Sequence, residues 1–489
     1  MKFKRIISYI TSIALLLTFI GCSEKKEDTK VQKDTITVIV PKLGGKLIRG
    51  AILEEAKKFE EKTGTRIRVV TPSWIDTINK INESLNDPKI NFDMFVIITS
   101  WGGSLLGENQ VAVVPDWVKK RIDWDDVLPV YKNNILTWGN KTYALPYDGD
   151  CINLYYRKDV FKNKNNQKNF LKEFGYKLTP PKTWKNYEDI AKFFNGWDWD
   201  GDGKVEYGIA GSRLKGYGSV LQFFTRAAAY AKHPDDKAYY FDIDTMKARI
   251  NNEGFIKALE DYISVMKYGP KEILNFSPSD VRKSFISGDV VMAIDWANMG
   301  TMAANSEISV VRDKVGYAEL PGYDKVFNSK TNSWDNIYNS PSSISGNWTI
   351  LVNKNSKQQK LAFEFAAHMT SKKLTSKLIT LGWTGVNPSR YSHFKDLSAW
   401  ADSGFSQSSA KEYLGVISKS LSNKNVMIDI RIPGSSQYYD TLSYGINLAL
   451  KGEVSPSEAL NSVVIKWEGI TESLNRDNQI RLYKKSLNK

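Results

Sequence analysis

Cysteine and histidine are scarce in this sequence. Its 489 residues include only 2 Cys and 3 His. A structural zinc site takes about four such ligands close together, so a fold built on zinc is nearly excluded. A disulfide scaffold is excluded as well, because such domains are dense in cysteine. Hydrophobic residues make up 42% of the chain and charged residues 25%, which is the composition of a folded globular protein rather than of a disordered one.

Only one long apolar run is present, and it lies near the N-terminus. Basic residues precede this run, which covers residues 6–20 and is too short to span a bilayer as a stable helix. The run closes on Gly21 and Cys22, a pair that resembles the lipobox of bacterial lipoproteins. We therefore predict a signal peptide over residues 1–21, membrane anchoring through a lipid on Cys22, and a flexible tether over residues 22–34. The alternative is an ordinary cleaved signal with an incidental cysteine.

Basic residues outnumber acidic ones, 68 against 54, which gives a net charge of +14. A basic chain can attract nucleic acid through its phosphates. The lysines are nevertheless scattered rather than gathered in a stripe, and no nucleic-acid-binding motif is present. We therefore predict no nucleic-acid partner and attribute the charge to a lysine-rich background composition.

The first part of the chain alternates between strand and helix patterns. Residues 35–40 are a β-rich run, residues 47–62 carry apolar side chains at helical spacing, and residues 66–70 alternate as a second strand. A strand, a helix and a strand over this distance make a βαβ unit with a parallel sheet. Residues 92–99 are nearly all apolar, as in a strand that is covered on both faces. The pattern predicts an α/β fold.

Five stretches of the sequence, taken in order, carry a family resemblance. They are Leu145-Pro146-Tyr147 with residues 154–159, the helix start Pro181-Lys182-Thr183-Trp184, residues 285–296, Ser345-Gly346-Asn347-Trp348 with residues 385–390, and residues 432–467. In this order they resemble the extracellular solute-binding proteins that feed ABC importers, the family that includes maltose-binding protein.

The resemblance implies a two-lobed periplasmic-binding-protein fold of the type II kind, with a ligand in the cleft between two α/β lobes. Three crossing strands would join the lobes, near residues 147–155, 290–296 and 347–352. One lobe would comprise residues 35–148 with 290–346, and the other residues 149–289 with 347–489. Closure of the lobes about a hinge would trap the ligand.

The same resemblance implies a binding lipoprotein rather than an enzyme. It would capture a mono- or oligosaccharide and deliver it to the transmembrane subunits of an ABC permease, at the outer face of the cytoplasmic membrane or in the periplasm. We predict a monomer that needs no cofactor for this function. One alternative is a secreted glycoside hydrolase, since tryptophan-rich clefts and carboxylates also suit such enzymes. Another is the same fold with a different cargo, such as a polyamine.

Aromatic residues are abundant, with 14 Trp and 24 Tyr, and flat aromatic rings suit the apolar faces of sugars. The resemblance and the positions after strands select eight candidates for ligand binding. They are Trp296, Asp150, Trp348, Tyr439, Tyr438, Trp383, Trp101 and Lys42. The competing interpretation for each aromatic side chain is packing in the core, and for Asp150 it is a hydrogen bond within the hinge.

Residues 198–206 follow the first part of an EF-hand calcium loop. Asp198, Asp200 and Asp202 alternate, Gly203 permits the tight turn, and Lys204 offers a backbone carbonyl. The position of the bidentate glutamate is taken by an isoleucine, so Glu206 or a carboxylate from elsewhere would complete the shell. The sequence therefore predicts a structural calcium site, and the alternative is a solvated Asp/Gly turn.

Overall fold

Two β-sheets organise the computed structural model of the protein, which describes residues 34–87, 89 and 91–489. The predicted signal peptide, Cys22 and most of the predicted tether lie outside these residues. Fifteen strands are present in the described part: β1 Thr35–Ile39, β2 Arg66–Val70, β3 Met94–Ile98, β4 Thr137–Trp138, β5 Lys141–Thr142, β6 Ala144–Pro146, β7 Ile152–Arg157, β8 Tyr207–Ala210, β9 Val290–Trp296, β10 Val315–Ala318, β11 Val326–Asn328, β12 Ser333–Asp335, β13 Ser342–Ser343, β14 Trp348–Val352 and β15 Val426–Met427.

The same residues form eighteen α-helices: α1 Arg49–Thr63, α2 Trp74–Asn86, α3 Thr99–Gly107, α4 Asp116–Arg121, α5 Pro129–Asn134, α6 Lys158–Lys162, α7 Lys164–Phe174, α8 Trp184–Phe193, α9 Tyr217–Ala231, α10 Glu253–Ser264, α11 Pro278–Ile286, α12 Asn298–Ala304, α13 Gln359–Met369, α14 Lys372–Leu378, α15 Gln407–Leu421, α16 Ser435–Leu450, α17 Pro456–Ser473 and α18 Arg476–Ser486. Short 3₁₀ helices cover Trp124–Asp126, Val265–Tyr268, Ile273–Asn275, Tyr391–Phe394 and Ser398–Ser403. Among the described residues, no helix is both long enough and apolar enough to cross a bilayer.

The first sheet contains the predicted βαβ unit. Its strand order is β2-β1-β3-β14-β6, and β1 pairs in parallel with both β2 and β3. Helix α1 connects β1 to β2 and ends at Gly64, which adopts a left-handed conformation. Every residue of β3 is buried, as its apolar run predicts. The α/β prediction is therefore confirmed for this part of the chain.

The second sheet has the order β15-β13-β7-β9-β8, with β10 beside β7. Strand β9 pairs antiparallel with β7 and parallel with β8, and all seven of its residues are buried. The chain passes between the sheets three times: at residues 147–151, at residues 344–347, and on the path from β14 to β15.

Two of the predicted boundaries are wrong. The expected crossing at residues 290–296 is not a crossing, because β9 lies entirely in the second sheet. Residues 348–352 were expected in the second lobe, but β14 pairs with β3 and β6 of the first sheet. Hydrogen bonds to strands that are distant in the sequence decide these positions, and an apolar run does not reveal its partners.

Helix starts follow their local signals closely. Ser455 Oγ accepts a hydrogen bond from the backbone N–H of Glu458, and the backbone N–H of Ser455 donates one to the Glu458 carboxylate. These two bonds complete the predicted capping box of α17. Thr183 forms the same kind of box with Asn186 at the start of α8, within the predicted helix start at residues 181–184.

Candidate ligand-binding cleft

A cavity of about 370 Å³ opens between the two sheets. Its walls come from both of them, at points where parallel strands end. In the first sheet, Leu43 follows β1, Trp74 follows β2 and Ile98 closes β3. In the second sheet, residues 214–218 follow β8 and Trp296 closes β9. Open α/β sheets bind ligands at this edge, because loops and helix starts converge there. The crossings contribute Asp150 and Gly346.

Aromatic rings line the cavity from both sheets. Trp74 and Trp348, on the side of the first sheet, lie with ring centroids 6.2 Å apart. Tyr217 approaches from the side of the second sheet, with its ring centroid 5.6 Å from that of Trp74. Trp296 completes the set at the end of β9. The cleft therefore offers aromatic faces on opposite walls.

Trp296 is held in place by the second crossing. Its indole Nε1 donates a hydrogen bond of 2.9 Å to the carbonyl oxygen of Ser345. Gly346 has φ of +87°, and a Cβ at this position would lie 2.8 Å from the same Nε1. The indole is therefore packed directly against backbone that only glycine fits well.

Buried carboxyl groups lie beside the aromatic rings. Asp150 is 6% exposed, and Asn387 Nδ2 donates a hydrogen bond of 2.6 Å to its Oδ1. Burial and then the charge of Asp148 raise the pKa of Asp150 well above its ordinary value, and the positive charge of Arg282 partly offsets this. Burial raises the pKa of Asp148 to about 6. A protonated carboxyl at Asp150 is able to donate a hydrogen bond as well as to accept one.

Two further side chains in the cavity wall, Arg282 and Asn298, have polar groups that remain able to form hydrogen bonds. Arg282 Nε donates a 2.5 Å hydrogen bond to Asp295 Oδ2, and Nη2 reaches the other carboxylate oxygen at 3.4 Å. Among the described residues, none accepts a hydrogen bond from Arg282 Nη1, and the side-chain amide of Asn298 has no partner either. These donors and acceptors therefore suit a ligand that carries hydroxyl groups and lies between the aromatic rings.

Three of the eight predicted residues, Trp296, Trp348 and Asp150, line this one cavity. Two more stand directly behind it. Trp101 packs against Trp74 with ring centroids 4.4 Å apart, and Tyr439 packs against Tyr217 at 5.1 Å.

The remaining three predicted residues lie elsewhere. Tyr438 is buried in the core, where its hydroxyl meets Thr471 Oγ1 at 2.8 Å, because it occupies the helix face that packs on α17. Lys42 is exposed and outside the cavity wall, and Trp383 lines a neighbouring cavity.

The sequence interpretation missed Trp74 and Tyr217. Trp74 is the first residue of α2, directly after the N-cap Ser73, and Tyr217 is the first residue of α9. Each begins a helix shortly after a strand, and this position is the signal that could have identified them.

The predicted calcium loop brings its carboxylates together. Oxygen atoms of Asp198, Asp200, Asp202 and Glu206 lie within 4.8 Å of one another. Glu206 is buried, and burial together with the nearby aspartate charges raises its pKa to about 7. Asp200 also pairs with Arg157 at 3.1 Å. This donor set suits a hard cation.

The alternative of an Asp/Gly turn is visible in the same loop. Asp198 accepts hydrogen bonds from the backbone of Gly201 and Gly203 at 2.6 and 2.9 Å. Asp202 accepts one from the Lys204 backbone at 2.9 Å and pairs with its ammonium group at 3.0 Å. Such bonds are typical of an Asp/Gly turn.

Comparison with known proteins agrees with this architecture. Residues 54–405 match the bacterial extracellular solute-binding protein family. The chain belongs to this family, which confirms the resemblance found in the sequence.

Solved structures of such proteins share the fold. The solute-binding protein of an ABC transporter from Agrobacterium radiobacter, in complex with ribitol, has a TM-score of 0.69 at 21% identity and covers 89% of this chain and 98% of its own. The corresponding protein from Agrobacterium vitis, with bound D-mannitol, has a TM-score of 0.68 at 20% identity and covers 90% and 99%. The predicted two-lobed fold is thereby confirmed.

A mannitol-binding protein from Pseudomonas aeruginosa is 25% identical over 249 residues, which are 50% of this chain and 49% of that protein. The match therefore spans about half the length of this relative.

Replacing Gly346 with alanine is expected to destabilise the protein by about 2 kcal/mol, because the left-handed backbone and the Trp296 indole both oppose a Cβ. Urea denaturation measures the change. The matched control is Gly469→Ala in α17, where nothing lies within 4 Å of the new Cβ and helix propensity predicts a gain of about 0.5–1 kcal/mol. Equal effects of the two changes would contradict the packing described for Trp296.

Replacing Asp148 with asparagine is expected to stabilise the protein at pH 7 but not at pH 4. The raised pKa means that the fold favours the protonated carboxyl, so the wild-type protein loses stability as the pH rises from about 4 through about 6. Asparagine does not titrate, and its amide can donate toward Asp150. Melting temperatures at both pH values measure this, and a difference between variant and wild type that stays constant with pH would contradict the assignment.

Proposed function

We propose that this protein is the substrate-binding component of an ABC importer. It captures a carbohydrate or a polyol in the cleft between its lobes and delivers it to a membrane permease. The observation that carries the proposal is the set of aromatic faces on both walls of one cavity, with Asp150, Arg282 and Asn298 among them. Membership of the solute-binding family supports it, as do the polyols named for the relatives from Agrobacterium and Pseudomonas.

The architecture suits capture and release. Aromatic plates on opposite walls hold a ligand only when the lobes approach each other, so binding and closure are coupled. A polar ligand supplies hydroxyl groups to Arg282 Nη1 and Asn298, which lack protein partners among the described residues. Burying those donors in a closed cleft without partners is unfavourable. A ligand that accepts their hydrogen bonds removes this penalty and so favours the closed state.

In the proposed function, the protein binds its ligand without converting it. Asp148 and Asp150 are separated by one residue, and their carboxyls share one network with Asn387. A glycosidase instead places its two carboxyls on opposite sides of the scissile bond. Incubation with oligosaccharides is expected to release no new reducing ends, and their appearance would favour the hydrolase alternative.

We extend the proposal to the cellular location. A lipid on Cys22 would hold the protein at the outer face of the cytoplasmic membrane or in the periplasm, with the following residues as the tether to the first lobe. The protein would act there as a monomer. Mass spectrometry of the membrane fraction, with Cys22→Ser as the comparison, tests the anchor.

Trp296→Ala is expected to remove most of the thermal shift that a bound sugar or polyol produces. A ligand at a hundredfold excess over its Kd stabilises the protein by about 2.7 kcal/mol, which a melting curve detects. The screen uses monosaccharides, alditols and oligosaccharides. Trp296→Phe keeps an aromatic face and should retain part of the shift. Trp117→Ala, at an exposed indole outside the cleft, should retain all of it. A full shift in Trp296→Ala would move the site away from the end of β9.

The acidic loop is proposed to hold a structural calcium ion. The geometry of its four carboxylates supports this. Burial, followed by the charges of the three aspartates, raises the pKa of Glu206 to about 7, and a bound cation would favour its charged form. Calcium is therefore expected to raise the melting temperature, and a chelator to lower it. Asp202→Asn should abolish the response, whereas Asp116→Asn, at a carboxylate that is 98% exposed, should preserve it. A melting temperature insensitive to calcium would favour the solvated turn.

A further inference from the structure

A second cavity adjoins the first one. Its volume is about 680 Å³, and it shares four wall residues with the inner cavity: Gly44, Leu47, Ser279 and Arg282. The loop after β1 and the segment after α14 form one side of this second cavity. Helices α11 and α12, which flank β9 of the second sheet in the sequence, form the other side. The cleft therefore continues beyond the space that Trp296 and Trp348 enclose.

Trp383 provides an aromatic plate in this outer cavity. The side chain is 38% exposed, so one part of the indole is open to solvent. Another part packs against Gly50, where an added Cβ would lie 2.9 Å from Trp383 Cζ3. The Lys46 ammonium group lies 5.7 Å from the ring centroid. A partly exposed indole in a cavity is a suitable surface for the apolar face of a sugar ring.

Polar side chains share the outer cavity with the indole. Asn305, Glu307 and Asp402 line it. Within the described part of the chain, neither Glu307 nor Asp402 forms an ion pair, and both are exposed. Carboxylates and an amide near an aromatic plate are the groups that bind sugar hydroxyls. The outer cavity thus repeats the chemistry of the inner one.

Arg282 stands in the wall that the two cavities share. It is 9% exposed, and its Nε and Nη2 are committed to Asp295. The remaining Nη1 has no partner among the described residues, so it is able to donate to a group that passes from one cavity to the other. A glycosidic oxygen or a hydroxyl next to it has the required acceptor character.

We infer that the cleft binds a ligand of at least two linked sugar units, with one unit in the inner cavity and the next stacked on Trp383. This inference rests on the proposed function and specifies the length of the ligand. The polyols named for the relatives are single units, so the outer subsite would distinguish this protein from them.

Isothermal titration of matched probes tests the inference. The single-unit probes are D-glucose, D-xylose and D-glucitol. Their two-unit counterparts are maltose and cellobiose for glucose, xylobiose for xylose, and maltitol for glucitol. We expect a two-unit probe to bind at least tenfold more tightly than its single-unit counterpart. Trp383→Ala should raise the Kd of that two-unit probe about fivefold to tenfold, as the loss of one aromatic contact predicts. The Kd of the single-unit counterpart should change less than twofold.

Two variants control for indirect effects. Trp383→Phe keeps an aromatic face and should restore most of the affinity for the two-unit probe. Trp117→Ala removes an indole of similar exposure, 41%, that lines neither cavity, and it should leave all Kd values unchanged. If single-unit probes bind and the second unit or Trp383 adds nothing, the outer subsite is refuted while the proposed function stands. If none of the probes binds, the carbohydrate function itself is refuted, and the outer subsite with it.

Discussion

Parallel pairing of strands is the constraint on which the cleft depends. In the first sheet β1, β2 and β3 run in one direction, and in the second sheet β8 and β9 do so. Strands that run together end together, so the loops and helix starts that follow them gather at one edge of each sheet. The two edges face each other across the cavity. Residues far apart in the chain therefore line a single site because of the direction of their strands.

A network of buried charges lies where the crossings meet this edge. Arg282 and Asp295 compensate each other, whereas Asp148 and Asp150 have mainly amide donors from Asn387 and backbone. Burial of carboxylates without a full positive partner is unfavourable, which explains the raised pKa of both groups. Such a network is a cost to folding that a purely structural hinge would not need. Hydrogen bonds from this network to a polar ligand would account for that cost.

Much of this arrangement could be predicted from the sequence. The βαβ unit, the buried strand β3 and the capped helices α8 and α17 carry local signals that the structure confirms. The family resemblance added the two lobes, and it brought Trp296, Trp348 and Asp150 forward as candidates, which line one cavity. Trp74 and Tyr217 were not identified, although each begins a helix shortly after a strand, because this position indicates the cleft only when the direction of the strand in its sheet is known.

The sequence by itself determined the elements and the class of fold, since hydrophobic period, caps and turns act over a few residues. Only the tertiary structure decided that β9 stays in the second sheet, that Tyr438 points into the core, and that Trp383 faces an outer cavity. Each of these depends on contacts between residues distant in the chain. Such contacts form when strands pair and helices pack, and a residue's neighbours in sequence do not encode them.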